Sequence, residues 1–279
     1  MKPREESAHM SITGKIESCL PSLTKTETKI ARFILDHRED GVEQYLLGDL
    51  SRELGVGEAT IVRFCRKLGL GGFTELKFLL SAELEEQATS RKSSGEIKDI
   101  LISSVEMTDT MVSAKDIADV VELVGSASEV FFFGIGMSGL SASMGESRLF
   151  RFGKRTKAIT EAHAQNMQAS MCDENSLIVA VSISGETVDL IEAVALAKES
   201  GSKVVAITSY LRSTLAELSD YVLLSFGKPN YINAGAFSTV VSQLYILDLI
   251  TSEYASRFSV EAARSKKRIA RSILNKMAT

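Results

Sequence analysis

No uninterrupted apolar stretch in this chain approaches the roughly 18 to 20 residues that a membrane span requires, because glycine breaks up the richest runs. Cysteine is scarce as well. Cys19, Cys65 and Cys172 lie far apart with no CxxC or Cys/His spacing, which argues against a disulfide framework and a zinc site; neither a metal nor a cofactor is expected. The first residues, Met1 to Glu6, are charged and lack an apolar signal segment, so the expected compartment is the cytoplasm, with no membrane partner. A large excess of one charge is missing too. The formal charge is −4, and residues 1–90 carry 12 Lys and Arg against 15 Asp and Glu, so a nucleic-acid partner has to be argued from local pattern.

What is present is apolar content of 44% over 279 residues, enough for a proper core and a length that favours two domains. From Leu23 to Leu84 the spacing is helical, over Thr24–His37, Val42–Leu54, Glu58–Leu68 and Gly72–Glu86, with glycines between. Residues 1–86 read as an all-α domain, and the polar, small-residue stretch within 87–97 reads as a linker. Helices are expected over Glu96–Ser113 and Lys115–Gly125. From Glu129 strands alternate with helices, at Glu129–Phe133, Lys157–Thr160, Leu177–Ser182, Lys203–Thr208 and Tyr221–Ser225, before a helical tail from Phe237 to Met277. Residues 98–279 thus read as an α/β domain with a five-stranded parallel sheet flanked by helices. Met167, Met171 and Phe131–Phe133 read as its core.

Leu50 to Gly69 has the grammar of a helix-turn-helix: the first helix ends at Leu54, Gly55 makes the turn, Val56 plugs the core and the second helix starts at Glu58. Ile61, Phe64, Cys65 and Leu68 share one face by their spacing, leaving Thr60, Arg63 and Lys67 outward. The window Gly57–Leu79 is locally basic, with Arg63, Arg66, Lys67 and Lys77 against Glu58 and Glu75. The surface opened by Glu58 would enter the major groove, with Arg63 at a guanine edge, Ala59 and Thr60 at a thymine methyl or phosphate, and Lys67 and Lys77 at phosphates. An αα-hairpin with a solvated charged face has the same pattern.

Two loops follow apolar strands and open helices: Phe133-Gly134-Ile135-Gly136-Met137-Ser138-Gly139 and Ser182-Ile183-Ser184-Gly185-Glu186-Thr187. Glycines allow close backbone approach, helix N-termini offer unpaired N–H groups and hydroxyls complete a cradle, which is how a phosphate is held without a metal. Two such loops in register with a βαβ repeat point to a phosphosugar pocket. Ordinary helix capping by these serines is the competing reading.

The run Gly57-Glu58-Ala59-Thr60-Ile61-Val62-Arg63-Phe64-Cys65-Arg66-Lys67-Leu68-Gly69, with Gly72-Phe73-Thr74-Glu75-Leu76-Lys77, resembles the N-terminal domain of RpiR/MurR-family bacterial transcription regulators. Gly134–Ser138, Glu161-Ala162-His163-Ala164-Gln165 and Ser182–Thr187 resemble that family's SIS (sugar-isomerase) domain. The resemblance runs from about Ile12 and implies a cytoplasmic, dimeric or larger homo-oligomeric regulator that binds operator DNA and senses a phosphosugar. Through the matching motifs it implies Ser138, Ser182, Ser184 and Thr187 as phosphate hydroxyls, Gly136, Gly139 and Gly185 as the close-approach positions, and His163 and Glu186 facing the sugar. Two positions depart from the family. Gly57 stands where Ser or Thr commonly caps the recognition helix, which removes a hydroxyl from the DNA side. Val240 stands where a basic residue is often found, leaving the phosphate to backbone dipoles and hydroxyls.

A sugar-phosphate isomerase using Glu186 as base and His163 in ring opening is the alternative, although an appended helix-turn-helix has no use in a simple isomerase, and no enzyme activity is expected. The effector expected first among the family's hexose, pentose and amino-sugar phosphates is an N-acetylated hexosamine 6-phosphate such as N-acetylmannosamine 6-phosphate. The apolar residues Val240, Leu244, Leu247, Leu249, Ile250 and Tyr254 of the C-terminal helices, together with the helices before the first strand, are expected to supply a two-fold interface, with an inverted-repeat operator to match.

Overall fold

The computed structural model describes residues 11–37, 42, 45–87, 94–227 and 237–277. They form two compact units, a helical one ending at Gln87 and an α/β one starting at Ser94.

The helical unit comprises α1 (Ile12–Cys19), α2 (Lys25–Asp36), α3 (Leu47–Leu54), α4 (Glu58–Lys67) and α5 (Phe73–Gln87). Sequence reading missed α1. Its Ser11 cap accepts from the Gly14 N–H, and Ile12 and Ile16 are buried while Thr13 N donates 3.0 Å to Glu83 of α5. A capping box starts α2: Thr24 Oγ1 accepts from Glu27 N and Glu27 Oε2 from Thr24 N. Those bonds, with Lys67 beside it, hold the Glu27 carboxyl below its ordinary range. Helix α3 begins at Leu47, not Val42: Leu46 is extended (φ −70°, ψ 154°) and Tyr45 turns its ring edge onto Phe33. Residues 43 and 44, also expected as helix, lie outside the described residues. Ile30, Ile34, Leu50, Ile61, Phe64, Leu68 and Leu76 form the core, and burial pushes the Cys65 thiol up to about 11, as suits a packing residue.

The α/β unit comprises α6 (Ser94–Met111), α7 (Ala114–Ser126), β1 (Glu129–Gly134), α8 (Met137–Arg151), β2 (Thr156–Ile159), α9 (Ala162–Ala169), β3 (Ser176–Val181), α10 (Val188–Glu199), β4 (Lys203–Thr208), α11 (Thr214–Leu218), β5 (Tyr221–Leu224), α12 (Phe237–Arg257) and α13 (Ser259–Met277). Residues 94–97, expected as linker, are the first turn of α6; 88–93 lie outside the described residues. The sheet is all parallel in the order β2-β1-β3-β4-β5. Alternate residues of each strand feed two cores. Val130, Phe132, Leu177, Val179, Val205 and Ile207 face the layer of α7, α8 and α12, whereas Phe131, Phe133, Ile178, Ala180, Val204 and Ala206 face that of α9, α10 and α11. This is the expected architecture, an all-α unit followed by a helix-flanked five-stranded parallel sheet.

Two expectations fail on packing, and the helical tail is found with a single break. Met167 and Met171 are 61% and 80% exposed, because α9 turns Gln165 and Ala169 inward instead. The tail divides at Phe258, whose ring lies against Gly125 and Tyr254. Val240, Leu247, Ile250 and Tyr254 are buried within their own subunit, with Leu244 and Leu249 packed on the same core, so α12 does not offer them to a partner. Among the described residues no helix is long and apolar enough to cross a membrane.

Candidate functional site

The chain leaves β1 for β2 in one direction and then crosses back to β3, so β1 and β3 flank the point where the strand order reverses. Gly134 pairs with Val181 and Phe133 with Ile159 in register. The segments that follow, Ile135–Ser138, Ser182–Thr187 and Thr160–His163, therefore start side by side at the carboxyl edge, where open parallel sheets bind ligands.

The two glycine-containing loops are built tightly. A Cβ on Gly134 would come within 2.6 Å of the Ser138 carbonyl oxygen. Gly136, with φ 60° and ψ −129°, starts α8. Gly185, at φ +64°, has no room for a side chain, since a Cβ would overlap Ser213 and sit 3.0 Å from Thr208 Oγ1. The hydroxyls are held in place beforehand. Ser182 Oγ accepts from Gly185 N and shares a 3.2 Å hydrogen bond with Thr187 Oγ1. Ser184 Oγ accepts from Glu186 N at 3.2 Å. Ser138 Oγ accepts from Nε2 of the buried Gln243, whose Oε1 takes the Ser141 hydroxyl at 2.7 Å. Gly139 packs its α-carbon against Gly134 O and Thr160.

Helix caps differ around this edge. Ser113, Glu161 and Ser213 cap α7, α9 and α11 through their side chains. Helices α8 and α10, the two at the reversal point, have no side-chain cap; apart from Gly139 N, which donates to Ile135 O, their first-turn N–H groups remain open to an anion.

Glu186, expected to face the sugar, is exposed at the end of its loop. Its two carboxylate oxygens accept from Thr214 N and Thr214 Oγ1, each at 2.8 Å, so it ties the β3 loop to the start of α11. His163 is exposed on the first turn of α9, and its backbone N–H goes to Glu161. That bond and the one from Ala164 N hold the Glu161 carboxyl below its ordinary range, Ala164 contributing most. Val240 is buried one turn before Gln243, so no cation enters from that position.

Sequence reading assigned no role to Gln165, Thr208, Ser209 and Gln243. Gln165 is fully buried and its Nε2 donates to Gly134 O and Ile159 O, joining the ends of β1 and β2; two carbonyl acceptors fix which end is the NH2. Thr208 Oγ1 donates to Ile183 O, and Ser209 shares a 3.3 Å hydrogen bond with Ser225. The one available signal was the polar Gln243 inside an apolar helix.

In the helical unit Gly55 ends α3 in the left-handed region (φ 59°) and Gly57 begins α4 with no side-chain cap. Ile61, Phe64, Cys65 and Leu68 are buried as their spacing requires. Glu58, Ala59 and Arg63 are exposed, Thr60 is half-buried, and Arg63 Nη2 donates to Thr60 Oγ1 at 3.1 Å. Lys67 is exposed on the flank but holds Ser22 O and Glu27 at 2.9 Å. Arg66, not assigned to the DNA face in advance, shares the outermost face with Ala59 and Arg63. The expectation that Lys77 meets a phosphate does not fit its surroundings: it is 5% exposed, its Nζ reaches Tyr45 O at 3.2 Å and it lies over the Phe73 ring. Lys25, Lys29 and Thr26 of α2 line a shallow cleft with Gly55, Val56, Gly57 and Thr60, which adds cations beside the turn.

Comparison with known proteins agrees with both units. The family profile for the helix-turn-helix domain, rpiR family, matches residues 10–87, and that for the SIS domain matches residues 123–252. An uncharacterized HTH-type transcriptional regulator of Haemophilus influenzae is 32% identical, covering 95% of this chain and 96% of its own. The HTH-type transcriptional regulator HexR of Pseudomonas aeruginosa is 29% identical over the same shares, 95% and 96%. Among solved structures, the Vibrio vulnificus NanR protein complexed with ManNAc-6P superposes with a TM-score of 0.86 at 26% identity, over 96% of this chain and 100% of that one.

Proposed function

We propose a phosphosugar-sensing role from one premise: this chain belongs to the rpiR family of helix-turn-helix transcriptional regulators and carries a SIS domain behind its DNA-binding one. It is a transcriptional regulator with double-stranded DNA as a partner. Its α/β unit is the sensor. The observation that carries this reading is the pair of uncapped helix N-termini, α8 and α10, at the point where the strand order reverses, with Ser138, Ser182, Ser184 and Thr187 beside them. A phosphate satisfies such N–H groups and hydroxyls together, and the helix dipoles favour its charge.

The effector is an N-acetylated hexosamine 6-phosphate, N-acetylmannosamine 6-phosphate first, since the Vibrio vulnificus protein that resembles this chain along its whole length holds ManNAc-6P. The regulated genes serve sugar or amino-sugar catabolism. Arg63, Arg66, Ala59 and Thr60 read base edges, and two copies bind an inverted repeat. Glu186 acts by positioning: a carboxylate already accepting two hydrogen bonds from Thr214 is poorly placed as a base, which supports a sensor over an isomerase.

Thermal-shift measurements across a panel of sugar phosphates test this. The effector at about 100 times its dissociation constant should stabilise the protein by roughly 2.7 kcal/mol. Ser184→Ala should lose that response while changing intrinsic stability by less than about 1 kcal/mol. Turnover of the tightest ligand, seen by NMR and abolished in Glu186→Gln, would replace the sensor with the isomerase.

A further inference from the structure

Helix α13 carries a charge pattern that the functions above do not use. Residues 259–277 hold six Lys and Arg and one acid, Glu261, in a chain whose net charge is −4. Arg264, Lys267, Arg268 and Arg271 are spaced i, i+3, i+4, i+7, which puts them on a single stripe spanning about 10 Å of helix. All four are exposed. None forms an ion pair among the described residues, where other surface bases such as Lys198, Lys203 and Arg257 do. The opposite side of the helix faces its own unit: Ala262 and Ser265 are buried, Ser265 lies against Gly153, and Lys266 sits over the Phe152 ring at 4.5 Å.

Like charges at i, i+3 and i, i+4 repel one another, so the stripe is unfavourable until it meets a row of negative charge. We infer that the Arg264–Arg271 stripe of α13 is a second, sequence-independent DNA-binding surface that lies along phosphates. Each strand of duplex DNA presents a charge about every 3.4 Å of its axis, a spacing that a row of four cations over about 10 Å matches. An anionic membrane is the poorer occupant, because a surface-lying helix puts its apolar face into lipid, and behind Arg264–Arg268 that face is packed against Phe152 and Gly153, leaving only Ile273 and Leu274 exposed near its end. The acidic groove lined by Asp109, Asp248 and Glu253 is the poorer one too, since those carboxylates already hold Tyr245, Arg148 and Arg257.

The experiment is a salt titration of full-length protein on a fluorescent duplex of random sequence, about three to four helical turns long. The variant is R264Q/K267Q/R268Q/R271Q, and the control, K98Q/K115Q/R155Q/K157Q, removes the same charge elsewhere. The slope of log affinity against log salt should fall by about 0.9 for each phosphate no longer neutralised, so by roughly 3 in the stripe variant and by less than 1 in the control. Affinity near 100 mM salt should drop at least tenfold, on the order expected when several phosphates go without a cation. R264K/R268K/R271K, which keeps the charge, should retain the wild-type slope, and unchanged thermal unfolding of all variants shows that the fold is intact. Equal slopes in stripe and control variants overturn the proposal. So does a stripe variant that keeps its DNA slope but loses binding to phosphatidylserine vesicles, or that only loses salt-sensitive self-association by light scattering.

Discussion

The two units place function differently. In the helical unit the residues offered to DNA stand on the outside of a core made by Ile61, Phe64 and Leu68, and few of them are held by anything. In the α/β unit the site is in the backbone: glycines at strand ends, uncapped helices, and hydroxyls already hydrogen-bonded to Gln243, Gly185 and Glu186. A surface of the first kind tolerates substitution in stability and changes in affinity, because exposed side chains contribute little to folding. In a site of the second kind the glycines cannot be replaced without disturbing the fold that makes it, whereas a single hydroxyl such as that of Ser184 can be removed at little cost. The difference teaches that a motif of glycines and hydroxyls can be located from sequence, whereas the set of cations reaching a partner is decided by tertiary packing.

The sharpest break would come at Gly185. An alanine there takes on a left-handed conformation costing about 1–2 kcal/mol and overlaps Ser213, an overpacking worth about 1–3 kcal/mol more. Gly185→Ala should therefore lose about 3 kcal/mol, which for a unit of this size lowers the melting temperature by about 6–12 °C. Its response to sugar phosphates should vanish with it. A variant with wild-type melting and an intact response would mean the cradle is not the rigid backbone device described.

The next largest effect tests the opposite side of the comparison. Lys77 has the sequence of a phosphate contact and the setting of a core residue, with its amine on the Tyr45 carbonyl and over the Phe73 ring. Lys77→Ala removes packed methylenes and a buried donor, so about 2 kcal/mol of stability should go, with the salt dependence of DNA binding unchanged. Lys77→Met, which keeps the stem, should recover part of the loss. A slope reduced by about 1 at constant stability would return Lys77 to the DNA face.

These cases show where sequence reading succeeded and where it could not. The five strands were legible because each is a short apolar run bounded by helical periodicity, and all five agree to within a residue or so at each end. The two loops were legible because in each of them glycine and serine cluster between an apolar strand and a helix. Helix α1 was missed because eight residues with buried Ile12, Thr13 and Ile16 carry too little periodicity to stand out. Lys77 was mis-sorted because a helical wheel gives the direction of a side chain on its own helix and nothing about the neighbours. The contact between Glu186 and Thr214 was hidden for the same reason, since the two are 28 residues apart in sequence.

The smallest effect sharpens the comparison at the position that departs from the family. Gly57 sits at φ −68° and ψ 143°, ordinary extended backbone, and a Cβ there would be 3.8 Å from Thr60 Oγ1 with nothing closer. Unlike Gly185, it has no conformational need to be glycine. A serine would give α4 the side-chain cap it lacks, an exchange worth only a few tenths of a kcal/mol in stability. Gly57→Ser should therefore melt within about 1 °C of wild type or slightly above. Because the new hydroxyl lies at the start of the helix that carries Arg63, it should also tighten binding to random-sequence duplex a few-fold, about what one neutral hydrogen bond contributes. Destabilisation by more than about 1 kcal/mol, on the scale of a lost cap, would show that this turn too is a backbone device, and the contrast between the units would fail at the place where it is easiest to test.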